Sequence, residues 1–335
     1  MPEHQPVQIN ETVTFNGNGT SASGSVAQRL LASNFNVNAL RTNGTLRRDE
    51  WIAYDNAVID IARRQLVGVA DLMSRGLVYN LPNALGKTRL EWERVGDMDP
   101  AVVTMSGISQ SQNDRIIFDM EGMPIPIVHK DFNINLRALA ASRDGSTPLD
   151  TTQARVAGRK VSEMIETMLF DGATVLGSNN PIFGYTTAPW RNTGVLTDSW
   201  MTASGDAIVG DILTMMGMAV VDNRYGPYVL YISNGVGVRF GEDYKANGDR
   251  TILERIRAIP NLADVKVTKD LADGEAVLVE MASDVVDIVN GLGPTTVEWE
   301  SHGGFVVHFK VLAIMVPRLR NDYLEQSGII HFSAA

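Results

Sequence analysis

Apolar residues recur at helical spacing in two long segments of the chain. The first segment, residues 46–75, carries its apolar side chains on one helical face and is followed by Gly76, a residue that suits a helix end. The second, residues 148–172, has Pro148 at its first helical position and ends at Gly172. The pattern therefore predicts two long amphipathic helices in the first half of the chain.

Between these helices, residues 78–126 alternate polar and apolar side chains as a strand does. The runs TRLEWERV (88–95) and DRIIFDMEGMPIPIV (114–128) predict an extended, two-stranded excursion with too few apolar residues for a core of its own. An isolated two-stranded ribbon is only marginally stable in water. We therefore expect its large apolar side chains to be buried at an interface with a neighbouring subunit, and these are Trp92, Phe118, Met120 and Met123.

From residue 205 onwards, helix and strand patterns alternate, which is typical of an α/β lobe. The predicted helices are GDAIVGDILTMMGMAVVDN (205–223) behind a Ser204 cap, TILERIRAI (251–259) and the short SDVVDIVN (283–290). The predicted strands are YVLYIS (228–233), DVKVTK (264–269), EAVLVEMA (275–282), a long pair joined at 302–304, and GIIHF (328–332). We interpret NGVGVRFGED (234–243) as a flexible loop. Together, these elements predict an α+β fold.

The triplet Gly86, Lys87 and Thr88 matches the second half of a phosphate-binding loop. The first glycine of that motif would fall at Leu81, whose Cβ resists the left-handed backbone that the loop needs. A strand pattern follows, so no helix N-terminus is available to receive a phosphate. The triplet therefore predicts no nucleotide site, and Lys87 stands at the root of the excursion.

The charge balance narrows the possible partners. The chain has 335 residues, is 44% hydrophobic and carries a formal net charge of −10. A surface that binds nucleic acid needs a basic stripe, and an anionic membrane attracts one as well. The negative net charge therefore argues against both kinds of partner. The absence of cysteine excludes disulfides and thiolate chemistry. Since no signal peptide and no apolar run of about 20 residues occur, we expect a soluble protein made in a cytoplasm.

Candidate chemistry is sparse. The five histidines do not occur at the spacing of metal ligands, and the nucleophile-elbow motif G-x-S-x-G is missing. We therefore predict no catalytic residue, no cofactor, no metal site and no enzymatic activity. The first 45 residues are a polar arm whose NGNGTSASGS segment (16–25) cannot bury itself, so we expect a neighbouring copy to hold it.

Three segments of the chain resemble the major capsid protein of tailed bacteriophages of the Hong Kong 97 type, in the branch shared with encapsulin shells. They are RRDEWIAYDNAVIDIARRQLVGVADLMSRGL (47–77), MPIPIVHKDFNINLRALAASRDGSTPLDTTQARVAGRKVSEMIETMLFDG (123–172) and NPIFGYT (180–186). The segments cover about a third of the chain, and the remainder matches only in the order of its elements.

The resemblance implies a division of the chain. It gives an N-terminal arm (1–45), the first helix of a peripheral domain (46–77), an extended E-loop (78–126), the rest of the peripheral domain with its spine helix (127–204, helix 148–172), an axial domain (205–293) and returning strands (294–335).

The resemblance also implies a function, which is self-assembly into an icosahedral shell of pentamers and hexamers around double-stranded DNA. Partners would be further copies, a portal, and separate scaffold or decoration proteins, with no specific DNA contacts and no membrane. The shell would assemble in the bacterial host cytoplasm and end as the virion capsid. The alternative is an encapsulin compartment around a cargo protein. About 45 extra polar residues precede the first helix, and this N-terminal arm favours the phage capsid over the encapsulin compartment.

Some capsids of this type cross-link an E-loop lysine to an asparagine of a neighbour. Lys87 is the lysine at the loop root, but the sequence around it offers neither an apolar pocket nor a positioned base to activate its amine. We therefore predict a shell held together without covalent bonds.

Overall fold

A computed structural model describes residues 56–59, 66–95, 118–135, 151–175, 180–245, 250–302, 305–322 and 324–334, together with positions 103, 105 and 248. The predicted N-terminal arm, residues 1–45, lies outside this part of the chain. Among the helices in the described ranges, none combines the length and the apolar character needed to cross a bilayer.

A four-stranded sheet forms the first layer of the protein. Its strand order is β1 (Val78–Asn80), β9 (Val286–Ser301), β10 (Val306–Leu319) and β4 (Val128–Asn135). Strands β9 and β10 form a long antiparallel hairpin, which confirms the predicted pair of long strands. β1 runs parallel to β9, and β4 runs antiparallel to β10.

The hairpin corrects one prediction. The segment SDVVDIVN (283–290) is not a helix, because β9 begins at Val286 and joins the four-stranded sheet. Its first four residues are all buried, as in a strand covered on both faces, and β-branched residues fit such a strand well. Consequently, the α/β lobe predicted to reach residue 293 ends before β9.

Helix α2, which spans Thr152–Phe170, packs across β4 and β10. At 1.5 Å per residue its 19 residues extend about 28 Å. The predicted stop at Gly172 is confirmed, since this residue has a left-handed φ of +74°. The predicted start at 148 is wrong, because Thr151 is not helical and the helix begins one residue later.

The first predicted helix is interrupted. Residues 56–59 are helical, but Leu66 and Val67 are not, and a new helix, α1, spans Gly68–Ser74. A continuous helix over 46–75 is therefore wrong. The restart has a physical cause, because the first N–H groups of α1 bind a buried carboxylate of α2, as described below.

A five-stranded sheet forms the second layer. Its order is β5 (Asn192–Val195), β11 (Ile329–Ser333), β8 (Glu275–Glu280), β6 (Tyr228–Ser233) and β7 (Leu262–Thr268). The outer face is covered by α3 (Gly205–Val221), α4 (Asn234–Arg239) and α5 (Ile252–Arg257). The predicted Ser204 cap of α3 is confirmed, since its hydroxyl accepts a hydrogen bond from the Ala207 N–H. Thr251, predicted as the first residue of a helix, is instead the cap of α5.

The five-stranded sheet separates two hydrophobic cores. On β6, Leu230 and Ile232 face the outer helices, whereas Val229 and Tyr231 face the core shared with α2 and the four-stranded sheet. This strict alternation follows from the two-residue period of a strand.

The segment NGVGVRFGED (234–243) is another correction, because its first six residues form helix α4 and not a flexible loop. The hydroxyl of Ser233 accepts a hydrogen bond from the Val236 N–H, which caps the helix despite two glycines inside it.

Candidate functional site: the two-stranded arm and its root

Strands β2 (Arg89–Val95) and β3 (Phe118–Pro124) form a separate antiparallel ribbon. We call this ribbon the arm, as distinct from the N-terminal arm of residues 1–45. The ribbon prediction is confirmed for these residues, and 96–117 lie outside the described part except for positions 103 and 105. The arm starts later than predicted. Leu81 and Ala84 are buried in the main core, and a short 3-10 helix, Ala84–Gly86, precedes β2.

One face of the arm packs on its own subunit. It carries Leu90, Trp92 and Arg94 on β2, opposite Met123, Glu121 and Asp119 on β3. Met123 is only 6% exposed, and Leu90 and Trp92 pack against the same core. Trp92 and Met123 therefore pack on the core of their own subunit, and their predicted role at a subunit interface stays a prediction.

Trp92 rests on a buried cation. The guanidinium carbon of Arg318 lies 5.6 Å from the Trp92 ring centroid and 4.7 Å from that of Tyr79. Both lie within the range of cation–π attraction. Arg318 thus joins the arm to β1 and to the long hairpin.

The charge of Arg318 is balanced by Asp287, its cross-strand neighbour on β9. The Nε donates to Asp287 Oδ1 at 2.8 Å, and Nη2 donates to Oδ2, so that the pair is bidentate. Arg320 Nη2 also approaches Oδ2 at 3.2 Å. Both members of the Arg318–Asp287 pair are buried.

A second arginine ties the strands of the arm together. Arg94 Nη2 donates to Asp119 at 2.6 Å, and its Nη1 reaches Asn321 Oδ1 of the body at 3.5 Å. The hydrogen bond from Arg94 lowers the pKa of Asp119. Burial raises the pKa of Glu121, although the charge of Arg94 opposes this.

A small cavity of about 30 Å³ lies where the arm meets the body. Its lining residues include Trp92, Glu121, Phe183, Trp190 and Leu319. Sites for small-molecule cofactors usually measure about 300–1,000 Å³, so this cavity is too small to hold one.

The opposite face of the arm is exposed. Phe118 and Met120 are 61% and 59% exposed and lie two residues apart on β3. Across the ribbon, Met120 pairs with Glu93, and the exposed Arg89 and Glu91 precede it on β2. The result is an apolar pair with a charged border, while its role as a subunit contact stays a prediction.

Lys87 lies at the root, as predicted from the sequence. It follows the 3-10 helix with an extended backbone (φ −118°, ψ 127°) and an exposed side chain. Within the described ranges, no carboxylate forms an ion pair with it. No group of three or more His, Asp or Glu side chains in those ranges could hold a metal ion.

Glu166 of α2 is the buried carboxylate that accepts hydrogen bonds from the N-terminal N–H groups of helix α1. Its Oε1 accepts the N–H groups of Val67 and Gly68 at 3.1 and 2.5 Å, and its Oε2 accepts that of Val69 at 3.4 Å. A side chain at Gly68 would place its Cβ 2.7 Å from Leu169, so glycine permits this approach. Glu166 therefore sets the position of the segment that leads into β1 and the arm.

Burial raises the pKa of Glu166 to about 7, which outweighs the three backbone donors that favour its charged form. Because this folded-state pKa lies above the ordinary glutamate value of 4.5, the folded state binds the extra proton more tightly. Glu166 therefore stabilises the fold most at low pH, and this contribution is lost as the pH rises through about 7.

We expect Glu166→Gln to flatten this pH dependence. Between pH 5 and 8 the wild type should lose about 2.5 kcal/mol of unfolding free energy more than the variant does. Urea unfolding at several pH values measures the difference. Glu166→Ala, which removes the acceptor altogether, is the control and should be destabilised across the whole range. Parallel curves for wild type and Glu166→Gln would show that Glu166 does not titrate in this range.

Neither Arg318 nor Glu166 was predicted from the sequence. Arg318 is 31 residues from Asp287, and Glu166 is 98 residues from Gly68. A sequence signal existed only for the arginine, which directly follows the apolar run 311–317 of its strand and so needs a partner.

A profile of the family of unknown function DUF6260 matches residues 38–332, which is most of the chain. The chain belongs to this family. The DUF6260 chain is also 28% identical over 222 residues to the type 1 encapsulin shell protein EncA of Myxococcus xanthus (strain DK1622), a match that covers 65% of the chain and 70% of that protein.

Solved structures share the fold of the DUF6260 chain. The virus-like particle from Pyrococcus furiosus matches with a TM-score of 0.63 at 18% identity, over 85% of this chain and 99% of that one. The capsid of Myoviridae phage XM1 matches with a TM-score of 0.59 at 11% identity, over 81% and 93%. The fold is therefore that of Hong Kong 97-type capsids and encapsulin-like shells, which confirms the predicted α+β class.

Proposed function

We propose that the chain is a structural subunit that assembles into a closed shell. The observation that carries this proposal is the arm, whose inner face is fixed to its own subunit by Trp92 and Arg318 while its outer face exposes Phe118 and Met120. A ribbon that is packed on one face and exposes apolar side chains on the other suits a contact repeated between identical copies. The similar proteins, a virus-like particle, a phage capsid and an encapsulin shell protein, support it.

The proposed shell is an icosahedral phage capsid around double-stranded DNA. In such a capsid the five-stranded sheet and its helices would surround the axes of pentamers and hexamers. The N-terminal arm of residues 1–45 would link neighbouring subunits. A portal and scaffold or decoration proteins would complete the particle in the host cytoplasm. The net charge of −10 supports enclosure without tight phosphate binding.

A second candidate is an encapsulin-type compartment around a cargo protein, which the relative from Myxococcus xanthus favours. Particles purified from the producing cells and treated with deoxyribonuclease distinguish the two. DNA that survives the nuclease inside the particles supports the capsid. Shells that enclose one species of cargo protein and no protected DNA would support the compartment.

We expect purely non-covalent shells. The exposed Lys87 has no carboxylate ion pair within the described residues, so none of the described carboxylates is placed to remove its proton. A denaturing gel of boiled, mature particles should give one band near 36.5 kDa. A ladder of multimers that disappears in Lys87→Ala but persists in Lys130→Ala would contradict this.

A further inference from the structure

Three of the residues that line the cavity between the arm and the body carry a buried polar atom with no hydrogen-bond partner among the described residues. These atoms are Nε1 of Trp92, Nε1 of Trp190 and Oε2 of Glu121. Trp92 and Glu121 are cross-strand partners in the arm, whereas Trp190 belongs to the body. Because an unpaired buried polar atom is costly, such atoms normally bind either a protein group or an ordered water.

The two indoles are held in place by their neighbours. Trp190 packs edge-on against Phe183, with ring centroids 5.2 Å apart, and Trp92 lies against the guanidinium of Arg318. An indole N–H only donates, so the two tryptophans cannot form a hydrogen bond with each other. Both N–H groups therefore need an acceptor from outside the pair.

The polar groups of the cavity suit an uncharged molecule that both accepts and donates. Glu121 has the only side-chain oxygens among the lining residues, and its Oε2 lies 3.8 Å from Nε of Arg94, which is beyond hydrogen-bond distance. An anion would accept from both indoles but would be repelled by the carboxylate, and a cation would face two N–H donors. A water molecule can accept from the indoles and donate to the carboxylate.

We propose that this cavity binds an ordered water molecule that bridges the arm to the body, accepting from Nε1 of Trp92 and Trp190 and donating to Oε2 of Glu121. The size fits, since a buried water needs roughly 10–15 Å³ of space open to its centre and two to four polar partners. The cavity offers about 30 Å³ and three such atoms. Part of the attachment of the arm thus runs through an exchangeable molecule. The site lies within one subunit and does not depend on the proposed shell.

Hydrogen exchange of the full-length chain measures what the bridge contributes. In Trp190→Phe the amides of β2 and β3 should exchange about fivefold faster, since one hydrogen bond of the bridge is lost. Trp200→Phe is the matched control, because Nε1 of Trp200 donates directly to Asp211 at 2.8 Å outside the arm. It should leave exchange in the arm unchanged. Trp92→Phe combined with Trp190→Phe should accelerate exchange by less than the product of the two single effects, because both donors share one acceptor.

A density map of the full-length chain, at a resolution that shows ordered water, tests the site directly. The expected result is one peak within about 3.2 Å of both indole nitrogens and of Glu121 Oε2, which becomes markedly weaker in Trp190→Phe. The absence of a peak, or indole N–H groups bonded directly to protein atoms, would overturn the proposal. A peak that bromide replaces would identify an anion and overturn it as well. Unchanged exchange in Trp190→Phe, or fully multiplicative effects in the double variant, would contradict a shared water.

Discussion

Arg318→Ala is expected to destabilise the isolated subunit by about 3 kcal/mol, near the lower end of the cost of breaking a buried ion pair. The substitution leaves the buried Asp287 without its bidentate partner and removes the cation on which Trp92 and Tyr79 rest. Arg320 still approaches Asp287 at 3.2 Å, which limits the loss. Urea unfolding of dissociated subunits measures the change.

Two further variants make this prediction specific. Arg320→Ala should cost only about 1 kcal/mol or less, because the Arg320 side chain is partly exposed. The double substitution Arg318→Leu with Asp287→Leu should recover much of the loss, since no fully buried charge is then left unpaired and Arg320, which loses Asp287, is partly exposed. An Arg318→Ala variant as stable as Arg320→Ala would show that the pair does not anchor the arm.

The largest effect on assembly is expected from Phe118→Asp combined with Met120→Asp. Full burial of one such side chain contributes about 1.5–3 kcal/mol, and two charges at the same contact would oppose its formation. We expect the concentration of subunits needed for assembly to rise at least about a hundredfold, since each 1.4 kcal/mol is a factor of about ten. Light scattering during assembly measures it.

The stability of the same double variant serves as an internal control. Both residues are exposed in the subunit, so its unfolding free energy should change by only about 0.5 kcal/mol. Met123→Ala on the buried face should show the opposite pattern, with a loss of about 2–3 kcal/mol in the subunit. Normal assembly of the Phe118→Asp, Met120→Asp variant would show that the outer face of the arm is not a subunit contact.

Local signals predicted the elements whose ends are fixed by their own residues. Ser204 and Gly172 each mark a helix boundary, and the alternation in TRLEWERV correctly predicts a strand. The helix predicted over 283–290 failed because a short apolar run looks alike in a buried strand and a buried helix. Only pairing with β10 decides between them.

The candidate site was predicted in outline, but the division of its residues between two faces was not. Period-two alternation places Phe118 and Met120 together, yet it does not say which face packs on the subunit. That choice depends on Arg318 and on the other residues around the root, which come from distant parts of the chain. The interruption of the first helix likewise depends on Glu166, 98 residues away from Gly68.

Electron microscopy of the full-length chain, expressed alone and purified, tests the proposed shell most directly. The account predicts closed, hollow particles of one or a few discrete diameters, and their dissociation into subunits when Phe118 and Met120 are both replaced by aspartate. A single species of 36.5 kDa at every concentration, with no particles on the grid, would contradict it.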